Sequence, residues 1–139
     1  MIETATRNSV DALYQAYGER DLDKVSALIH DDIDWIIYGP VQVFPFEGKR
    51  RGKAAVLDVL TAIARDYAIE RYAPELVIVE GDRAAVLSDV KLVQRATSRT
   101  LRMRLANFLR FQDGQLIEFR ELSDTFDAVE QALGTWIKV

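Results

Sequence analysis

Residues 99–112 read Arg-Thr-Leu-Arg-Met-Arg-Leu-Ala-Asn-Phe-Leu-Arg-Phe-Gln. The odd positions Leu101, Met103, Leu105, Leu109 and Phe111 are apolar, while Arg102, Arg104 and Arg110 take the other parity. A period of two marks a strand with one face in the core and the other in water. Asn107 is the one polar residue on the apolar parity. The flanking segments alternate in the same way. On 84–95 the inward set is Val86, Ser88, Val90 and Leu92, with Asp89, Lys91 and Arg95 outward; on 115–122 it is Ile117, Phe119 and Glu121. Turns at Gly81-Asp82 and Asp113-Gly114 and a polar break near Ala96-Thr97-Ser98 divide strands over 71–80, 84–95, 99–112 and 115–122.

Upstream the period is helical. Val10, Leu13, Tyr14 and Tyr17 place an amphipathic helix over 4–18, ending near Gly18, and Asp21 caps a short second helix with Leu22, Val25, Leu28 and Ile29 on its apolar face. Residues 33–38, Ile-Asp-Trp-Ile-Ile-Tyr, read as a buried strand that stops at Gly39-Pro40. A Gly- and Pro-punctuated stretch to Gly52 holds Phe44-Pro45-Phe46 without a regular period. Val56, Leu57, Leu60, Ile63, Ala64 and Tyr67 form one helical stripe over 53–69. A last helix spans 124–133, capped by Ser123 or Asp124 and ended by Gly134. Helices followed by a run of antiparallel strands give an α+β domain with its helices on one face of the sheet, and 1–139 reads as a single domain.

Composition narrows the chemistry. With no cysteine and one histidine, His30, the chain excludes disulfides, thiolate nucleophiles, Cys-ligated metal centres and a multi-histidine metal site within one chain. Eighteen Lys and Arg against 22 Asp and Glu leave a net charge of -4, which does not favour a phosphate backbone. No apolar run approaches the roughly 20 residues of a membrane helix. No metal, nucleic acid or membrane is therefore expected, and the cytoplasm is the default location. The available chemistry rests on carboxylates, hydroxyls, amides and arginines.

Several strings carry a resemblance: Asp31-Asp32-Ile33-Asp34-Trp35, Tyr38-Gly39-Pro40, Gly52, Val79-Glu80-Gly81-Asp82-Arg83-Ala84-Ala85-Val86, Asn107-Phe108-Leu109-Arg110-Phe111-Gln112-Asp113-Gly114 and Glu121-Leu122-Ser123-Asp124-Thr125. In order and content they resemble SnoaL-like proteins of the nuclear transport factor 2-like superfamily, which includes ketosteroid isomerase, limonene epoxide hydrolase and scytalone dehydratase. The resemblance implies a cone, with three N-terminal helices on the concave face of a strongly curved, mainly antiparallel sheet and a short C-terminal helix. It also implies a small apolar ligand, no cofactor, and a homodimer formed through the outer face of the sheet. Asn107 stands where the isomerase carries a protonated aspartate, and an amide donates the same hydrogen bond. The isomerase's base falls near Ile37 and its tyrosine near Leu13, so both are lost; the hydrolase positions read Val90 and Leu92. Asp124 resembles the acid/base position of the polyketide cyclase branch.

Each candidate has a plain structural reading beside the chemical one. Asp124 is a pocket acid or base, or an N-cap with Asp127 three residues on. Glu121 and Asn107 are catalytic groups, or buried polar groups that satisfy one another. Leu13, Tyr14, Tyr17, Trp35, Ile37, Phe46, Leu60, Val90, Met103, Leu105 and Phe119 are expected around the cavity, and aromatic residues at such spacing also make plain core. His30 is read at a helix end, where the dipole favours a cation. Lys91, Arg95, Arg99, Arg102, Arg104 and Arg110 gather on the outward sheet face with no acid between 91 and 110, a pattern read as charge pairing with a second subunit. The reading that results is a cofactor-independent enzyme of isomerase, cyclase or dehydratase type. In it Asp124 or Glu121 moves a proton on a small apolar carbonyl or polycyclic ligand, and Asn107 stabilises an enolate. The alternative is a non-catalytic ligand-binding or dimerising accessory domain.

Overall fold

The computed structural model describes residues 1–139. Helices α1 (Ile2–Gly18) and α2 (Leu22–Ala27) precede strands β1 (Ile29–Ile37) and β2 (Gly48–Arg51). Helix α3 (Lys53–Asp66) leads into β3 (Tyr67–Glu80), β4 (Arg83–Gln94), β5 (Thr100–Gln112) and β6 (Gln115–Leu122), and α4 (Thr125–Leu133) follows. The six strands form one sheet in the order β2-β1-β6-β5-β4-β3. Every neighbouring pair is antiparallel except β1 with β6. That parallel join decides the site, because it sets Ile37 of β1 opposite Glu121 of β6.

The helices lie on the inner face for the reason their stripes predict. Val10, Leu13 and Ala16 of α1 and Val56, Val59 and Leu60 of α3 are buried, with Trp35, Val86, Leu109 and Phe119 of the sheet in the same cluster. Each buried Val or Leu side chain contributes on the order of 1.5–3 kcal/mol. Helix α2 starts where the Asp21 carboxylate accepts from the Lys24 N–H at 3.1 Å. Helix α3 starts after Gly52, whose φ of 88° is open to glycine and whose N–H donates to the Ile33 carbonyl of β1 at 2.8 Å. A second cluster joins α4, through Ala128 and Ala132, to Phe44, Tyr67 and Leu101.

Several local expectations change. Strand β1 begins at Ile29, so His30, Asp31 and Asp32 belong to a strand and not to a helix end; the His30 imidazole accepts from the Asp32 N–H through Nδ1 at 3.0 Å. Helix α3 stops at Asp66 and Tyr67 opens β3, earlier than the expected residue 71, because tertiary pairing of Tyr67 with Gln94 overrides the helical stripe. The irregular stretch contains the short strand β2. A register shift between Arg110 and Phe111 pairs Phe111 with Leu116, so Leu116 is buried in place of Ile117.

The outer face carries its own acids. Lys91 pairs with Glu70 at 2.9 Å, Arg104 with Glu75 at 2.9 Å, Arg71 with Asp89 at 2.8 Å and Arg110 with Glu118 at 3.5 Å. Acids within the chain thus stand beside Lys91, Arg104 and Arg110, two of them from β3. Arg95 and Arg99 turn to the carbonyls of Ala64 and Ala132. No helix is long and apolar enough to cross a membrane.

Candidate active site

Alternation on β5 and β6 puts Asn107 and Glu121 directly opposite one another on the inner face. Asn107 is 1% exposed, and both its amide oxygen and its amide nitrogen are hydrogen-bonded. Nδ2 donates to Glu121 Oε1 at 2.9 Å, and Oδ1 accepts from the hydroxyls of Tyr14 at 2.6 Å and Tyr72 at 3.3 Å. Tyr14 comes from α1 and Tyr72 from β3, so the network ties the helical layer to both halves of the sheet. Tyr17 packs edge-on against Tyr72 at 5.3 Å and closes the cluster.

These groups open onto a cavity of about 110 Å³, and 22 of the 26 residues around it are hydrophobic. One water takes about 10–15 Å³ by the same measure, so the space suits a ligand on the order of ten non-hydrogen atoms. Trp35 and Phe119 stack at 3.9 Å on one wall, and Phe46 meets Tyr67 edge-on at 5.8 Å on another. No Lys, Arg or His borders the cavity. Desolvation therefore pushes the Glu121 carboxyl up to about 7, against the opposing effect of the Asn107 hydrogen bond. Burial, followed by the charge of Glu121, pushes the phenols of Tyr14, Tyr17 and Tyr72 upward, so they stay protonated.

A second carboxyl shares the cavity. Glu47, 6% exposed, follows Phe46 in the irregular stretch, and its Oε1 has no hydrogen-bond partner. Burial, with a further contribution from Glu121, raises it to about 8. The indole N–H of Trp35, also at the cavity, is likewise unpartnered. A carboxylate near neutrality in a site with no cation is the condition for proton transfer at physiological pH.

All eleven residues expected around the cavity border it: Leu13, Tyr14, Tyr17, Trp35, Ile37, Phe46, Leu60, Val90, Met103, Leu105 and Phe119. Glu121 and Asn107 meet there, but Asp124 does not. Its exposed carboxylate caps α4 by accepting from the Asp127 N–H at 3.1 Å, because the strand has ended at Leu122 and the chain turns outward. Asn107 also holds and tunes the Glu121 carboxylate through its Nδ2 hydrogen bond. Glu47 and Tyr72 are the residues that periodicity missed. Glu47 stands in a segment without a period, and its only signal is an acid next to Phe44-Pro45-Phe46. Tyr72 lies on a strand whose register shifts between Ile69 and Arg71 and again between Pro74 and Leu76.

Residues 10–119 match the family described as SnoaL-like domain. The chain belongs to that family. Among solved structures, a candidate isomerase from Rhodopseudomonas palustris is similar to this SnoaL-like chain at 43% identity, over 96% of this chain and 99% of its own, with a TM-score of 0.84. A nuclear transport factor 2-like protein of unknown function from Burkholderia pseudomallei is 22% identical over 92% and 97%, with a TM-score of 0.83. A candidate polyketide cyclase from Xanthomonas campestris is 19% identical over 95% and 99%, with a TM-score of 0.79. The last two share the fold with the SnoaL-like chain. No curated protein matches the sequence.

Proposed function

We propose that this SnoaL-like protein is a cofactor-independent, isomerase-type enzyme in which Glu121 removes a proton from the carbon beside the carbonyl of a small apolar ligand and returns it elsewhere on the same framework. The observation that carries this reading is the Glu121 carboxyl, poised near pH 7, in an apolar cavity whose lining includes no Lys, Arg or His. Near neutrality it is ionised often enough to act as a base and basic enough to take a proton from carbon. Oε1 is held by Asn107, leaving the other oxygen for the ligand. Tyr14 and Tyr72 fix the amide that fixes the carboxylate, which limits the reorganisation needed at the moment of transfer. The 43% identity to a candidate isomerase agrees with this chemistry.

A one- or two-ring ketone tests the reading. With 2-tetralone in heavy water, wild-type protein is expected to exchange the hydrogens beside the carbonyl, and E121Q to lose exchange by about 10²–10⁴-fold. An E121Q rate equal to that of wild type overturns the base and leaves a ligand-binding domain in its place.

The same reading extends to assembly and location. Leu76, Leu87, Ala106 and Leu122 form one row across the outer sheet face, and Ile78, Ala85 and Phe108 form the next. Leu76, Ile78, Phe108 and Leu122 are each about half exposed. An apolar band of this kind, bordered by ion pairs, suits a homodimer. F108D is expected to shift the mass in light scattering from dimer to monomer, and a monomeric wild type removes the proposal. The cytoplasm is the proposed compartment, consistent with a chain that has no cysteine to oxidise.

A further inference from the structure

We propose that Glu47 is the acid partner of Glu121, a neutral carboxyl whose proton is offered to the ligand's carbonyl oxygen while Glu121 works on the adjacent carbon. The proposal rests on the proton-transfer reading above and adds to it where the ligand's oxygen sits.

Four observations support it. First, the two carboxyls flank the end of β1. Ile37 is opposite Gly48 of β2 on one side and Glu121 of β6 on the other, and Glu47 directly precedes Gly48. Second, Glu47 is buried at the cavity with Oε1 unpartnered, whereas a buried carboxyl ordinarily finds a hydrogen bond or an ion. Third, the nearby cation is used elsewhere. The Arg50 guanidinium donates to the backbone carbonyls of Glu47 at 3.2 Å, Lys49 at 2.8 Å and Pro45 at 3.1 Å, which secures the strap and leaves the carboxyl without a counter-charge. Fourth, the place is shaped for the group. A methyl at Gly39 would overlap the Glu47 carboxyl, so the glycine leaves the space it occupies.

The charge order agrees with the geometry. Glu121 titrates near 7 and its charge helps to hold Glu47 near 8, so around neutrality the base ionises first and the proton stays on Glu47. The other titratable groups at the cavity are phenols, Tyr14 and Tyr17 from α1 and Tyr67 and Tyr72 from β3, all pushed upward by burial. In the reaction Glu121 takes the proton from carbon, and the C–H electron pair becomes the new C=C bond. The carbonyl π pair moves to oxygen, which receives the Glu47 proton to give an enol and a Glu47 carboxylate. The enol proton then returns to Glu47 as Glu121 protonates carbon. Nothing is oxidised or reduced.

The test uses 2-tetralone labelled with ¹³C at the carbonyl, bound to the full chain, with its C=O stretch followed by difference infrared spectroscopy at pH 6.5. Wild type and E121Q are expected to lower the stretch, and E47L to abolish that lowering. G39A keeps the glutamate and displaces its carboxyl, and it should weaken the lowering while circular dichroism stays native. Deuterium exchange should fall at least tenfold in E47L with KM changed less than threefold, and E47Q, which keeps a weaker donor, should lie between. A lowered stretch that survives in E47L, or no binding of the probe at millimolar concentration, overturns the proposal. Unaltered exchange in E121Q with a lowered stretch lost only in E47L would instead sink the Glu121 base and leave the Glu47 contact standing.

Discussion

The two faces of the same sheet treat carboxylates in opposite ways. On the outer face Glu70, Glu75, Asp89 and Glu118 each lie within 2.8–3.5 Å of a Lys or Arg, and all are partly exposed. On the inner face Glu47 and Glu121 have no cation at all and are raised to about 8 and about 7. Water screens the outer pairs, so each contributes little to stability. Excluding water from the inner pair makes ionisation itself costly, and that cost sets their proton affinity. Both faces carry carboxyl groups, and the environment holds one set in ion pairs while it raises the proton affinity of the other.

The comparison can be broken from the inside first. Removing the inner charge at Glu121 carries the largest expected effect, the 10²–10⁴-fold loss of proton exchange in E121Q described above. Next comes N107L, which removes the one hydrogen bond that lowers Glu121. The limb of the exchange profile that rises with pH should then move to higher pH, with a rate loss of about tenfold at pH 7; an unmoved limb would show that Asn107 does not tune the base.

Stability gives the next effect, and its sign follows from the raised values. Glu47 and Glu121 hold protons in the folded state over a range where the unfolded carboxyls, near 4.3, have lost them. The stabilisation is complete below about pH 4.5 and is lost as pH rises through about 7 for Glu121 and about 8 for Glu47. The Tm of the wild type is expected to fall by on the order of 10 °C between pH 5 and 9. In E47Q and E121Q that slope should flatten, and equal slopes in all three proteins would contradict the buried, uncompensated carboxyls. The outer face supplies the smallest effect: a double-mutant cycle on Arg104 and Glu75 should return a coupling close to zero that shrinks further with added salt.

Part of this division was legible from residue order. The alternation in 99–112 places Asn107 inward and Arg102 and Arg104 outward, and the turns at Gly81-Asp82 and Asp113-Gly114 delimit the strands that carry it. Glu121 follows from the same parity, although Ile117, four residues earlier, does not, because a register shift intervenes. Asp124 shows the limit of reasoning from parity beyond a strand's end: three residues after Glu121 it serves a helix cap. Glu47 lies in a stretch with no period to extend.

What the sequence alone determined is therefore what short-range periodicity encodes: an α+β order of elements, the inward faces of β4 and β5, the helix stripes, and the absence of thiol and multi-histidine chemistry. The tertiary structure decided which of those faces meet. It laid β1 parallel beside β6, brought Tyr14 and Tyr72 onto one amide, and folded Glu47 over Gly39 into a cavity it shares with Glu121. Periodicity is a property of neighbours in the chain, whereas desolvation depends on everything packed around a group, including residues far away in sequence. Proton affinity, and with it the proposed chemistry, belongs to the second kind.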